Sequence, residues 1–252
     1  MSTAYDWTAI NERLTAAIRP SSSAVALKYV KTEEELVQIP NLKYWREPDS
    51  CVCKLVGIAA YWKITIALES KYCDRYCGGT NGLLKRETDW WHAGVPLNSD
   101  PIKWHGKRED SAAHMKAMLP DLPSDDHIAV VMSPIASGDI AEPDAIILSS
   151  DPGAAFHLFA ALVEKDHQTI DFVFRGESTC ADTWNRTCTT GKPGISLGCR
   201  GDRCQGALGN GEVRFSMSAQ DLLKALDGVD RLKSDGIEYP YYPDGVIDLK
   251  SL

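Results

Sequence analysis

STCADTWNRTCTTGKPGISLGCRGDRC, residues 178–204, carries four of the eight cysteines of the chain: Cys180, Cys188, Cys199 and Cys204. Gly, Pro, Asn, Asp, Thr and Ser fill the spaces between them, and these residues favour turns over long helices or strands. A thiol-dense, turn-rich stretch is how a chain wraps a metal or an iron–sulfur cluster. Upstream of it, residues 128–133 and 145–149 read as strands, 152–165 as a helix with Pro152 in its first turn, and 169–175 as a strand leading into the cysteines. That β-β-α-β order predicts an α/β fold of mixed α+β layers: a mixed sheet flanked by helices, with cysteine-rich loops at strand and helix ends.

The other four cysteines lie far upstream in two close pairs, Cys51 with Cys53 and Cys73 with Cys77. Residues 53–70 read as one long apolar helix from the spacing of Leu55, Ala59, Trp62 and Ile66, although β-branched residues at 64–66 leave a strand open for the second half. Cysteines at a helix start meet the positive end of its dipole, which favours the thiolate that binds metal. Gly78 and Gly79 follow Cys77 directly. Glycine beside a ligand lets backbone N–H groups approach a cluster or anion; a plain turn is the ordinary alternative.

Around these segments the chain is regular. Residues 7–18 predict an amphipathic helix through Ile10, Leu14 and Ile18. Residues 24–30 predict a buried strand, and Thr32 with Glu35 forms a capping-box pattern. Residues 111–119 predict a short helix, 213–216 a strand, and Ser218 caps a helix that turns Leu222, Leu223 and Leu226 inward. Residues 89–108 hold Trp90, Trp91, His92, Trp104 and His105 and read as a loop, a pocket wall or a lid. The tail, 237–252, reads as lying along the surface. The length of 252 residues suits a single domain, 1–252, with a soft boundary near the acidic residues 121–126.

A net charge of −8 argues against nucleic acid and anionic membranes as partners. The most apolar run, 52–68, carries Lys54 and Lys63 and is too short to span a bilayer. The first residues lack a secretory pattern, so a cytoplasmic location is expected. In that reducing compartment eight cysteines serve as ligands or free thiols rather than as disulfides. Their spacings, C-x-C, C-x3-C, C-x7-C, C-x10-C and C-x4-C, match neither paired zinc knuckles nor a ferredoxin run. Thiolate-rich sets select iron–sulfur clusters, zinc or copper(I).

AVALKYV at 24–30, CKLVGIAA at 53–60, CGG at Cys77, a cysteine at 180 and SLGCRGDR at 196–203 together resemble the uncharacterised archaeal-conserved-region (ArCR) family, domain of unknown function 169. The resemblance runs from about 24 to 226. It implies one cysteine at each of four places, here Cys53, Cys77, Cys180 and Cys199, and a C-x-G-x-R element made of Cys199, Gly201 and Arg203. It implies no activity. Four such cysteines suit one [4Fe–4S] cluster. Each also has a second cysteine nearby, so Cys51, Cys73, Cys188 and Cys204 are either ligands of a second or enlarged cluster or spare thiols.

The resulting expectation is an iron–sulfur oxidoreductase that acts on a small molecule or exchanges electrons with a partner protein. A cluster with one open iron, acting as a Lewis acid in a lyase, is a variant of it. The competing reading is a non-catalytic or redox-sensing module with a structural four-cysteine zinc site. Arg200 and Arg203 are candidates to clamp a substrate carboxylate or offset cluster charge, and equally to make structural ion pairs. His92 and His105 are candidate acid/base groups, as are Asp74 and Asp202, although a lone loop histidine is more often a surface or packing residue. Oligomeric state is left open.

Overall fold

The computed structural model describes residues 5–86, 108–176 and 178–241. His92, the expected aromatic loop at 89–107 and most of the tail lie outside the described residues. The core is a seven-stranded mixed sheet, ordered β2-β3-β4-β1-β5-β7-β6. Its strands are β1 (Val25–Val30), β2 (Lys43–Trp45), β3 (Ile66–Glu69), β4 (Ala129–Pro134), β5 (Ala145–Ser150), β6 (Gly194–Ser196) and β7 (Val213–Met217). Only β2 and β3 pair in parallel; the other neighbours are antiparallel. β4 lies between β1 and β3, so strands from both sides of residues 121–126 interleave in one sheet.

Alternation along each strand sorts side chains between two cores. Ala26 and Val30 of β1, Ala129 and Val131 of β4, and Ile146 and Leu148 of β5 enter one core. Val25, Leu27, Tyr29, Val130, Met132 and Ile147 enter the other. Both faces are covered, so these strands read as continuous apolar runs. The first core is roofed by three long helices: α1 (Trp7–Ile18), α6 (Pro152–Val163) and α10 (Ala219–Ser234). Their starts are set by Asp6, Asp151 and Ser218, whose side chains accept first-turn amides. The second core is covered by short helices: α3 (Val52–Gly57), α4 (Arg75–Thr80), α7 (Thr179–Asp182), α8 (Trp184–Thr190) and α9 (Arg200–Gln205). α2 (Glu33–Val37) and α5 (Arg108–Met118) complete the described helices. None of them is long and apolar enough to cross a membrane.

Four expectations need correction. The long helix at 53–70 ends early: α3 widens into a π-helical turn, Ile58–Trp62, and Lys63 turns left-handed at φ 57°, which releases the chain into β3. Residues 169–175 form no strand, because β6 takes the edge beside β7 and Arg175 N is held by the Asp182 carboxylate. Residues 178–204 do not form an open loop; they fold into α7, α8, β6 and α9. Gly78 and Gly79 do not make a turn but continue α4. At Gly78 a β-carbon would meet the Leu84 side chain at 2.5 Å, so the helix packs closely there.

Candidate metal centre

Six cysteines are buried: Cys51, Cys53, Cys73, Cys77 and Cys180 in the second core, and Cys199 beside Cys53. They arrive on four separate segments, each at the start of a short helix. Cys51 is the N-cap of α3 and Cys53 lies in its first turn. Cys77 is the third residue of α4, Cys180 the second of α7, and Cys199 the N-cap of α9.

Backbone pairing brings the two upstream segments together. Ser50 and Cys73 form a parallel bridge, in which Ser50 N donates to Tyr72 O at 2.9 Å and Asp74 N donates to Ser50 O at 3.0 Å. Asp74 then caps α4 by accepting Cys77 N at 2.8 Å. This leaves Cys77 Sγ 3.4 Å from Cys51 Sγ, with the Cys77 thiol donating. Among the described residues, Cys51, Asp74 and Cys77 form the one group of three metal-ligating side chains whose donor atoms all lie within 4.8 Å of one another.

The downstream cysteines are held as firmly. Thr179 Oγ1 accepts Cys199 N at 2.6 Å, and Asp202 N donates to Cys199 Sγ at 3.4 Å. Asp202 is fully buried and grips Arg214 of β7 through both carboxylate oxygens, at 3.1 and 2.7 Å. Arg214 also donates to Gly206 O at 2.9 Å and to Ser149 Oγ. Such a two-pronged buried pair fixes orientation as well as distance. It presses α9 onto α3: a β-carbon on Gly206 would fall 2.1 Å from Asp202 Oδ1 and 3.1 Å from Cys53 O. A β-carbon on Gly201 would sit 3.7 Å from Cys199 Sγ and 3.9 Å from Cys51 Sγ, so Gly201 packs between a downstream and an upstream sulfur.

The sulfurs share few protons. The Cys51 thiol is lowered to about 3, first by the neighbouring Cys53 thiol and next by the Cys77 thiol that donates to it; the first amides of α3 add to this without closing a cap hydrogen bond. The Cys199 thiol is lowered to about 6, first by the neighbouring Cys53 thiol, against the opposing effect of burial. The neighbours move the other way: Cys53 is pushed up, first by the Cys199 and then by the Cys51 sulfur beside it, and Cys77 by its hydrogen bond to Cys51. Burial pushes Cys73 and Cys180 up as well. Asp74 is raised to about 6, first by burial. Buried donors that resist ionisation, gathered around sulfurs that already favour it, are what a soft cation reverses on binding.

The remaining candidates fall elsewhere. Cys188 lies on α8 beside Lys28 and Asp144, and Cys204 is exposed near the end of α9. Arg203 donates to the carbonyls of Leu197 and Gly209, stapling its own loop. Arg200 is exposed. The sequence reading did not reach the buried network behind the sulfurs. Asn81 Nδ2 donates to Cys77 O, Trp184 Nε1 donates to Asn81 Oδ1, and the Tyr29 hydroxyl meets the Oδ1 atoms of Asn81 and Asn185. Nor did it reach Arg214, whose signal was a lone charge in the apolar strand VRFSM.

No curated protein and no solved structure matches the chain. The sequence pattern of the uncharacterised ArCR family does match, over residues 13–228, which takes in every described strand and all eight cysteines. The chain therefore belongs to the uncharacterised ArCR family, domain of unknown function 169.

Proposed function

We propose that the protein holds one [4Fe–4S] cluster on Cys53, Cys77, Cys180 and Cys199 and works as an oxidoreductase, either on a small molecule or by passing electrons to a partner. The observation that carries this reading is the convergence of free, buried cysteines from four separate segments on one face of the sheet. The donor set fits the group: sulfur-rich, enclosed by apolar side chains, and supplied with a peptide N–H on Cys199 Sγ. When bound, an all-thiolate cluster transfers single electrons at a potential set by such hydrogen bonds, by charge and by burial. The chain's own residues supply the burial, and the Asp202–Arg214 pair supplies a rigid seat. Cys204 is exposed and Cys188 packs beside Lys28 and Asp144, which favours one centre over two. Free thiols in this number suit a reducing, cytoplasmic setting.

A second reading has its own support. The 3.4 Å between Cys51 and Cys77, with Asp74 alongside, is close to the ~3.8 Å that separates two sulfurs on one tetrahedral zinc with Zn–S bonds of about 2.3 Å. That reading makes the site structural and centres it on Cys51, Asp74 and Cys77. Iron, acid-labile sulfide and zinc analysis of anaerobically purified protein, with an absorption spectrum, separates the two. About four irons and four sulfides per chain support the cluster; one zinc and a colourless protein support the structural site.

A further inference from the structure

β1 runs past the end of its neighbour. β5 pairs with residues 25–27 of β1 and stops there. Asp144 closes the first step of the gap. Its N–H donates to Leu27 O at 2.8 Å, its Oδ2 accepts Tyr29 N at 2.7 Å, and its Oδ1 accepts Lys28 Nζ at 3.0 Å. Beyond Asp144 the sheet is notched, and two adjoining hollows share Lys28 and Glu35 as a common wall. The first, about 460 Å³, is charged: Lys28, Lys31, Glu35 and Asp144 line it, with the Tyr29 ring and the Cys188 thiol. The second, about 560 Å³, has a mainly apolar surface from Tyr5, Val30, Ile39, Ile140 and Ala141, with Gln38, Asp139 and Glu142 also lining it.

We propose that this notch binds a small, dipeptide-sized zwitterion with an apolar body. Its charged groups lie among Lys28, Lys31 and Glu35, and its apolar side chains lie against Val30, Ile39 and Ile140. Sites of this size typically hold small molecules. Both signs of charge line the polar hollow, and they are paired within the protein: Lys28 with Asp144 at 3.0 Å, Lys31 with Asp126 at 2.7 Å, and Glu35 Oε2 with Lys31 N at 2.8 Å. An ion of one sign meets repulsion as well as attraction there, whereas a ligand carrying both signs can take the place of both partners of a pair. The shared wall places the charge pair next to the apolar hollow, which calls for charges and apolar groups on one short body. The polar hollow also touches the cysteine centre through one residue. The Tyr29 ring lines it, while the Tyr29 hydroxyl reaches Asn185 Oδ1 at 2.5 Å and Asn81 Oδ1 at 2.9 Å, and Asn81 anchors the Cys77 carbonyl. The assignment does not depend on which metal the centre holds, so its failure and the failure of the cluster reading are separate outcomes.

Calorimetric titration of the full chain with leucyl-phenylalanine tests it, alongside the N-acetylated dipeptide, its C-terminal amide and glycylglycine. The expected result is saturable binding of leucyl-phenylalanine, with each of the other three at least tenfold weaker. Lys28→Met and Glu35→Gln should each weaken binding at least tenfold. Equal binding of the capped forms, or no binding of leucyl-phenylalanine at millimolar concentration, overturns the proposal. A second measurement needs no variant. Mass-spectrometric mapping of iodoacetamide labelling should show bound dipeptide slowing alkylation of Cys188 and sparing the rate at exposed Cys204; unchanged Cys188 labelling at saturating dipeptide overturns it as well.

Discussion

At the scale of single residues, the centre separates sulfurs that the sequence could only count. Cys199 accepts a hydrogen bond from an amide and has the Cys53 thiol as its neighbour, whereas Cys188 packs beside the Lys28–Asp144 pair. Cys199→Ser should therefore remove most of the bound metal, and Cys188→Ser should leave metal content unchanged; metal analysis of the two variants side by side decides it. Asp74 gives a pH prediction for the metal-free protein. Its folded pKa is about 6, above the ordinary value of 3.8. A carboxyl raised in this way contributes stability that is fully present below pH 3.8 and is lost as pH rises through 6. The loss is on the order of 2–3 kcal/mol. Denaturant melts of the apo protein between pH 4 and pH 7 should show that decline, and Asp74→Asn should flatten it. A decline of the same size in the variant would assign it to another group. The close pairing of the upstream cysteines was legible in the sequence. Which sulfur accepts and which donates was not, because that depends on a bridge between Ser50 and Cys73 that no local pattern encodes.

At the scale of elements, the helices of the two faces are stabilised differently, and their variants should behave differently. α10 lies on the far face, capped by Ser218, which accepts Asp221 N at 3.0 Å. Ser218→Ala should cost about 1 kcal/mol and leave metal content intact. α9 is held by close approach, so Gly206→Ala drives a β-carbon into Asp202 Oδ1 and towards Cys53 O. That variant should lose metal as well as stability, because the buried Asp202–Arg214 pair cannot be separated without leaving charges unpaired, at a cost of about 3–5 kcal/mol. Melting temperature and metal content measured on both variants test the contrast; Gly206→Ala with full metal content would detach the clamp from the centre. Elements with strong periodicity and caps, such as α1, β1, β4, β5 and α10, were readable almost to the residue. The short helices α7, α8 and α9 were not. Each is stabilised by distant contacts, such as Asp182 with Arg175 and Asn185 with the Thr80 carbonyl, while its turn-forming residues argue locally for loop. The misread strand at 169–175 has the same origin, since its alternating Phe172 and Phe174 stay exposed once β6 occupies the edge.

At the scale of the whole molecule, one sheet divides two cores of different character. The first is continuous, built from three long helices whose apolar faces meet Phe215, Ile146 and Val131. The second is assembled from short helices around buried cysteines and polar side chains, and few of its elements would persist alone, because short helices owe their stability to packing. Metal on the cysteines should therefore act as a tertiary brace for one face only. Binding to the folded state alone adds stability by mass action, and the gain is local where the unbraced region opens by itself. Hydrogen–deuterium exchange on loaded and anaerobically stripped protein tests this. Stripping should sharply raise exchange in α3, α4, α7 and α9, while β1, β4, β5, α6 and α10 keep their protection. Uniform deprotection across both faces would instead mean that the cysteine centre is bound into the global folding unit, and that the long-helix core does not stand without it.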